Sequence, residues 1–315
     1  MIYFLFIISI FLSFYISIFF NKKINNYDVP GKEKFHQDKT VTSAGLFPNI
    51  VFALFFYLIV IYLTDSDKTK YFLDIPRILI IPFFFILITL ISFLDDFKFI
   101  PYQIRLVVQL LVIFFSFSSF PIDENFNFQI ILMDGLLPLK IDLFLSIFIW
   151  ALIINVTNFI DGVDGMFSTK VIFSSIGLGI NFFIIKEFFY FYICLLLLIY
   201  GMIFIFFNFS KSNKTFIGDT GTIPIGFIIG WLILTLCDLG HLVSALLITF
   251  YYIFDVTFTL SKRILQKKSI FTRHNDFIFK RFYLKYGIKK LFLIIIPINI
   301  IFITLSVYFN DKFSI

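Results

Sequence analysis

The residues able to do chemistry in this chain are few and fall in short clusters. Asp95 and Asp96 are adjacent, and Asn155, Asn158, Asp161 and Asp164 follow within ten residues of one another, punctuated by Gly162 and Gly165. Gly218-Asp219-Thr220-Gly221-Thr222 forms a third cluster, and Arg263, His274, Lys280 and Arg281 a fourth. Another begins at Asp28-Val29-Pro30-Gly31 and runs through His36 and Lys39 to Ser43-Ala44-Gly45. Carboxylate and amide oxygens suit a hard divalent cation. Arg, Lys and His neutralise phosphate oxygens through charge-assisted hydrogen bonds. Glycines allow tight turns, and the helix that Asp219 leads into could hold an anion on its free N–H groups. The chemistry that wants this set is phosphoryl transfer, where positioning and charge neutralisation do most of the catalysis.

Each cluster also has a plainer reading. Adjacent carboxylates commonly mark a solvated helix end, Thr220 or Thr222 would serve as a helix cap, and the basic fourth cluster would lie on a membrane surface. Two features go further. Asp95 and Asp96 end an apolar run, where the helix dipole disfavours negative charge, a cost that a bound divalent cation would offset. Asn155 and Asn158 share a helix face, and a terminating turn needs neither two amides nor two carboxylates.

The elements that must position these groups are apolar. Of 315 residues, 60% are hydrophobic, 22% aromatic and 15% charged, and the mean hydropathy is +0.98. A water-soluble domain carries about 25% charge, so this composition excludes one, together with a disordered chain, a collagen-like fibre and a coiled coil. Cys194 and Cys237 both lie in apolar runs, which excludes a disulfide scaffold and a cysteine-ligated zinc site. Phe occurs 51 times and Ala four times. Such a skew reads as composition bias, so no Phe cluster is assigned a function.

A helix crossing about 30 Å of hydrocarbon needs roughly 20 apolar residues. Runs of that kind fall near 2–20, 47–63, 78–94, 104–120, 143–159, 171–185, 188–207, 222–237, 241–260 and 288–308. The sequence predicts an all-α, polytopic integral membrane protein of about ten transmembrane helices, one domain over 1–315, with an active site formed by cytoplasmic loops. Only Lys186 and Glu187 separate the sixth and seventh runs. The first run reads as an anchor rather than a cleaved signal, because Lys22 and Lys23 follow it and no A-x-A-like site is present.

Twenty of the 26 Lys and Arg follow spans one, three, five, seven and nine, while the acidic residues divide evenly. That leaves one face at +10 and the other at −4, which orients the basic face to the cytoplasm and both termini outside. Nearly all the polar clusters share that basic face. Asp255 lies inside the ninth span, an expensive position for a carboxylate, with Arg263 or Lys262 as the expected partner. His241 falls on the other side and is read as incidental. The basic face calls for no nucleic acid, since insertion topology and anionic headgroups account for it.

Phe93-Leu94-Asp95-Asp96 followed by Arg105 and Gln109, the stretch 155–165, and Phe216-Ile217-Gly218-Asp219-Thr220-Gly221 occur in that order. In this the chain resembles the polyprenyl-phosphate N-acetylhexosamine-1-phosphate transferases over about residues 28–285. Asp28-Val29-Pro30 with His36, and Asp255, Thr259-Leu260, Arg263 and His274, are most similar to the O-antigen-initiating branch. The resemblance implies transfer of a sugar-1-phosphate from a UDP-N-acetylhexosamine to polyprenyl (undecaprenyl) phosphate, releasing UMP, in a bacterial inner membrane, with two-fold pairing as a family-level expectation. It implies Mg²⁺, with Mn²⁺ as an alternative, held by Asp219 with Asn158 beside it. Asp95 and Asp96 would stand near metal and lipid phosphate, Asp95 keeping the acceptor deprotonated. Asn155, Asp161 and Asp164 would lie near the nucleotide, Asp164 as a reader of uracil. His274, Arg263 and Lys39 would bind diphosphate oxygens. Direct attack by the acceptor is the simpler course, and a covalent phospho-enzyme stays open.

The chain departs from that pattern at Phe277, where the branch has a second histidine, at Asn275-Asp276, at Glu33 in place of a basic residue, and at Ala44 in place of a glycine. These changes put the donor sugar in question more than the reaction class. Two other readings remain: a transporter of a phosphorylated or lipid-linked solute, and a non-catalytic homologue. A transporter predicts ionisable residues near mid-membrane, and only Asp255 leans that way. A non-catalytic homologue would tolerate loss of Asp95, Asp96, Asn158 and Asp219, all of which are present.

Overall fold

A computed structural model describes residues 2–31, 35, 37–64, 78–98, 100–120, 138–210, 212–270 and 274–312. Among them are ten helices long and apolar enough to cross a membrane, as the sequence predicts. They are α1 (Ile2–Lys23), α2 (Leu46–Thr64), α3 (Ile80–Phe97), α4 (Tyr102–Ser116), α5 (Leu139–Ile160), α6 (Met166–Ile184), α7 (Phe188–Asn208), α8 (Asp219–Asp238), α9 (Leu242–Leu265) and α10 (Ile278–Lys312). Two short strands, β1 (Tyr27–Asp28) and β2 (Thr40–Val41), pair antiparallel between α1 and α2. The division between α6 and α7 falls at Lys186, whose φ of 64° turns the chain, and the Glu187 N–H donates to the Phe182 carbonyl at 2.9 Å.

The bundle is built around α8, whose residues 220–237 are all buried. It packs chiefly on α5 and α3. Gly230 leaves the space that the Trp150 ring of α5 fills, and the Trp150 indole donates to the Phe227 carbonyl at 2.9 Å. Pro224 inside α8 has no N–H, so the Thr220 carbonyl one turn earlier lacks its helical donor. Asn49 of α2 supplies it through Nδ2 at 2.9 Å. The same amide donates to Thr89 of α3 at 3.2 Å and accepts the Tyr200 hydroxyl of α7 at 2.9 Å. The freed carbonyl of one helix is therefore satisfied by a side chain of a second, itself held by side chains of two more, and this network anchors the end of α8 that carries Asp219. The outward faces are apolar, with Phe4 and Phe19 of α1, Phe144 and Phe148 of α5, and Leu293 and Ile301 of α10 all exposed. The Phe-rich composition thus serves packing inside and lipid outside.

Three expectations change. Lys170, counted with the loop cations, lies in α6, fully buried, with its ammonium donating to Thr157 Oγ1. Asp255 does not pair with Arg263 or Lys262. Its carboxylate accepts the Ile278 and Phe279 N–H groups at 2.7 and 3.0 Å, where α10 begins with unsatisfied donors. The last helix is broken at Gly287, with φ 78°, so an additional segment, 278–286, precedes the predicted tenth span.

Candidate functional site

The connections after α1, α3, α5, α7 and α9 gather at one end of the bundle. Ser43, in the first, donates to Asp96 of α3 at 2.8 Å, and Lys214, in the fourth, meets Asp164 in the third at 2.6 Å. Lys280, at the start of α10, lies against Gly162. The first and fourth connections are also joined by backbone, with the Phe216 N–H donating to the Val41 carbonyl at 2.8 Å and Ala44 N–H to the Phe216 carbonyl at 3.1 Å. Gly45 and Gly221 let α2 and α8 touch there, since a Cβ on Gly45 would sit 2.5 Å from the Gly221 Cα.

At the centre is Asp219, on the first residue of α8. Its Oδ1 accepts Asn158 Nδ2 at 2.7 Å and its Oδ2 accepts Arg105 Nη1 at 2.5 Å. Arg105 Nη1 also donates to Asp95 Oδ2 at 2.8 Å, so one guanidinium joins the two carboxylates. The other Asp95 oxygen takes the Ile100 N–H at 2.6 Å. Asp96 points differently. It accepts the N–H groups of Asp219 and Thr220, both at 3.1 Å, and the Thr220 hydroxyl at 2.6 Å. The anion expected on the N-terminus of α8 is thus the Asp96 carboxylate of the same chain, and neither Thr220 nor Thr222 caps that helix. The cost of two carboxylates at the C-terminal end of α3 is met by Arg105 and by α8.

Asn155 and Asn158 share a face as expected and divide its work. Asn158 holds Asp219 and reaches Thr222 at 3.1 Å, while Asn155 donates to Gln109 of α4 at 3.0 Å. Asp161 follows the last residue of α5. Burial, and then the neighbouring carboxylates Asp219, Asp164 and Asp96, hold it well above the ordinary carboxylate range, with Lys280 acting in the opposite sense. Gly165, with φ 80°, closes this turn and donates to Asn208 Oδ1 at 2.6 Å.

Farther out, the His274 ring lies tilted against Phe277 with ring centroids 4.7 Å apart, and Phe277 stacks on Phe159 of α5 at 5.8 Å. The phenylalanine in the position of the branch's second histidine is therefore a packing residue joining this loop to α5. Burial first, then Arg263, lowers the His274 pKa, against Asp276. Arg263 turns to Asp276 and to the Ser269 carbonyl, and among the described residues none of its hydrogen bonds reaches the carboxylates around Asp219. Lys39 is exposed beside β2. His36, Glu33 and Arg273 lie outside the described residues. Four side chains had no assigned role in the sequence reading: Arg105, Ser43, Lys214 and Gln109. Arg105 and Gln109 stood among the residues that carry the resemblance, which was the available signal for both.

Asp219 and Asp95 offer carboxylate oxygens, the type that Mg²⁺ takes, and in this structure those of Asp219 accept Asn158 Nδ2 and Arg105 Nη1. Among the described residues no three His, Cys, Asp or Glu side chains converge as a complete ligand set.

The profile of glycosyl transferase family 4 matches residues 78–237. This stretch contains Asp95, Asp96, Arg105, Asn155, Asn158, Asp161, Asp164 and Asp219, and ends before Arg263 and His274. No curated protein matches the chain.

Proposed function

The chain belongs to glycosyl transferase family 4, the family of polyprenyl-phosphate hexosamine-1-phosphate transferases, and from that premise we propose that it moves N-acetylhexosamine-1-phosphate from a UDP-sugar to a membrane polyprenyl phosphate, releasing UMP. The observation that carries this reading is the Asp95–Arg105–Asp219–Asn158 chain of contacts, which draws the ends of α3 and α5 and the starts of α4 and α8 to one point. A small recess of about 10 Å³, lined by Ile88, Ile91, Ser92, Val108, Gln109 and Ile223, adjoins Asp95 and Arg105.

In the reaction, an oxygen of the acceptor phosphate attacks the sugar-bearing phosphorus, and the bond from that phosphorus to the oxygen of UMP breaks. Asp95 keeps the acceptor phosphate deprotonated. Arg105 orients Asp95 and Asp219 together, and its positive charge tempers their repulsion. Asp219 and Asn158 would hold Mg²⁺, or Mn²⁺, which when bound neutralises diphosphate charge. Asp161 and Asp164 border the nucleotide, with His274 and Lys39 on the diphosphate side. Asp96 is spent on α8 and acts by positioning Asp219. The excess of Lys and Arg on this side of the bundle supports a cytoplasmic site, with both termini outside. Initiation of an O-antigen-like envelope polysaccharide is the corresponding role.

The purified chain, given polyprenyl phosphate, Mg²⁺ and a panel of UDP-N-acetylhexosamines, should release UMP with at least one donor. Asp219→Ala should abolish that release while eluting as a folded protein. No UMP from any donor, with the cation demonstrably bound, would sink the enzyme reading.

A further inference from the structure

Beyond the carboxylate site, a second cavity of about 270 Å³ opens between the end of α9 and the start of α10. Lys262, Arg263, Lys268 and Arg281 line it, against the single carboxylate of Asp276. The two guanidiniums are fixed by the protein's own oxygens. Arg263 donates to the Ser269 carbonyl at 3.0 Å through Nε and pairs with Asp276, and Arg281 Nε donates to the Asp276 carbonyl at 2.9 Å. Five N–H donors are available on each arginine. Among the described residues, both terminal nitrogens of Arg281 make no hydrogen bond, so it retains its paired donors for an anion.

The surroundings indicate where that anion comes from. Leu265 is 84% exposed and Ile264 60%, at the last turn of α9 beside the cavity. Across it, Ile278 and Leu284 of the segment before the Gly287 break are also exposed, as are Lys285 and Lys289. Uncovered leucine and isoleucine beside clustered cations, at the end of membrane-spanning helices, belong at the boundary of acyl chains and headgroups. The volume falls below the roughly 300–1,000 Å³ of pockets that enclose a whole drug-sized ligand, so it suits one phosphate-bearing group.

We propose that this cavity is a binding site for the phosphoryl headgroup of an anionic phospholipid, held by Arg281, Lys262 and Lys268, with Arg263 in its wall. It does not rest on the transferase reading, and among the described residues no hydrogen bond of Arg263 reaches the carboxylates around Asp219. The site ties the α9–α10 connection to the membrane surface and so steadies the loop that carries His274.

The test is native mass spectrometry of the full detergent-solubilised chain with phosphatidylglycerol, phosphatidylcholine of the same tails, or glycerol 3-phosphate. Phosphatidylglycerol should be retained several-fold better than phosphatidylcholine, and the exposed pair Lys262→Glu/Lys268→Glu should lower its retention at least about tenfold, given what each cation contributes beside an anionic surface. Lys285→Glu/Lys289→Glu, outside the cavity, should lower it less than about twofold. Glycerol 3-phosphate bound as tightly as the lipid, and lost in the first pair alone, would keep the phosphoryl site and assign it a soluble ligand. Equal retention of the two lipids, or equal losses in the two double variants, would overturn the proposal.

Discussion

Arg105 holds Asp95 and Asp219 with a single terminal nitrogen, at 2.8 and 2.5 Å, so its charge and position both matter. Arg105→Gln leaves two facing carboxylates without their cation. The expected loss is about 100-fold in kcat/KM, the lower end of what removing one preorganised donor costs. Arg105→Lys keeps the charge without the planar fork and should fall between. Equal activity in all three proteins would remove Arg105 from the site. His274 makes a prediction of different sign. Its pKa is lowered by burial and by Arg263, so the neutral ring stabilises the loop. That contribution is complete above the unfolded value of about 6.5 and is lost as pH falls through the folded one. Imidazole NMR on a His36→Asn/His241→Asn chain should give a midpoint below about 6.5, and a midpoint above it would contradict the packing of His274 on Phe277.

At the level of elements, the junction of α3 and α8 separates two neighbouring aspartates by role. Asp96 accepts two backbone N–H groups of α8 and a hydroxyl, the duty of a helix cap supplied from another helix. Asp96→Asn retains an acceptor oxygen and should keep much of the activity, whereas Asp96→Ala should cost about 1–2 kcal/mol of stability and loosen the Asp219 turn. Thermal unfolding beside UMP release distinguishes the two variants. If Asp96→Asn is as inactive as Asp219→Ala, Asp96 contacts substrate or cation instead. None of this was legible beforehand, because adjacent aspartates on a helix point about 100° apart and nothing local says what lies opposite each. The same limit hid the cap that Asp255 forms on α10 and the burial of Lys170. Long apolar runs, by contrast, declare themselves, and even the three-residue separation of α6 from α7 was readable from Lys186 and Glu187. The bend at Gly287 escaped because hydropathy falls at Lys285, Lys289 and Lys290 without marking a helix.

Across the whole molecule, five connections distant in sequence meet at one end of a ten-helix bundle around α8, buried over 220–237. The clustering of Asp95, Asp96, Asn158, Asp161 and Asp219 was legible as a chemical set, since hydrophobic spans leave polar groups little choice but the ends. Which groups touch was not, because Arg105 and Asp219 stand 114 residues apart and only the packing of α3, α4, α5 and α8 brings them together. The central claim is that such a site transfers a sugar together with its phosphate. A UDP-N-acetylhexosamine labelled with ³²P at the β-phosphorus, incubated with the chain, polyprenyl phosphate and Mg²⁺, tests it most directly. The label should enter the lipid fraction, and the UMP released should carry none. Label leaving as UDP, with unlabelled sugar on the lipid, would contradict it.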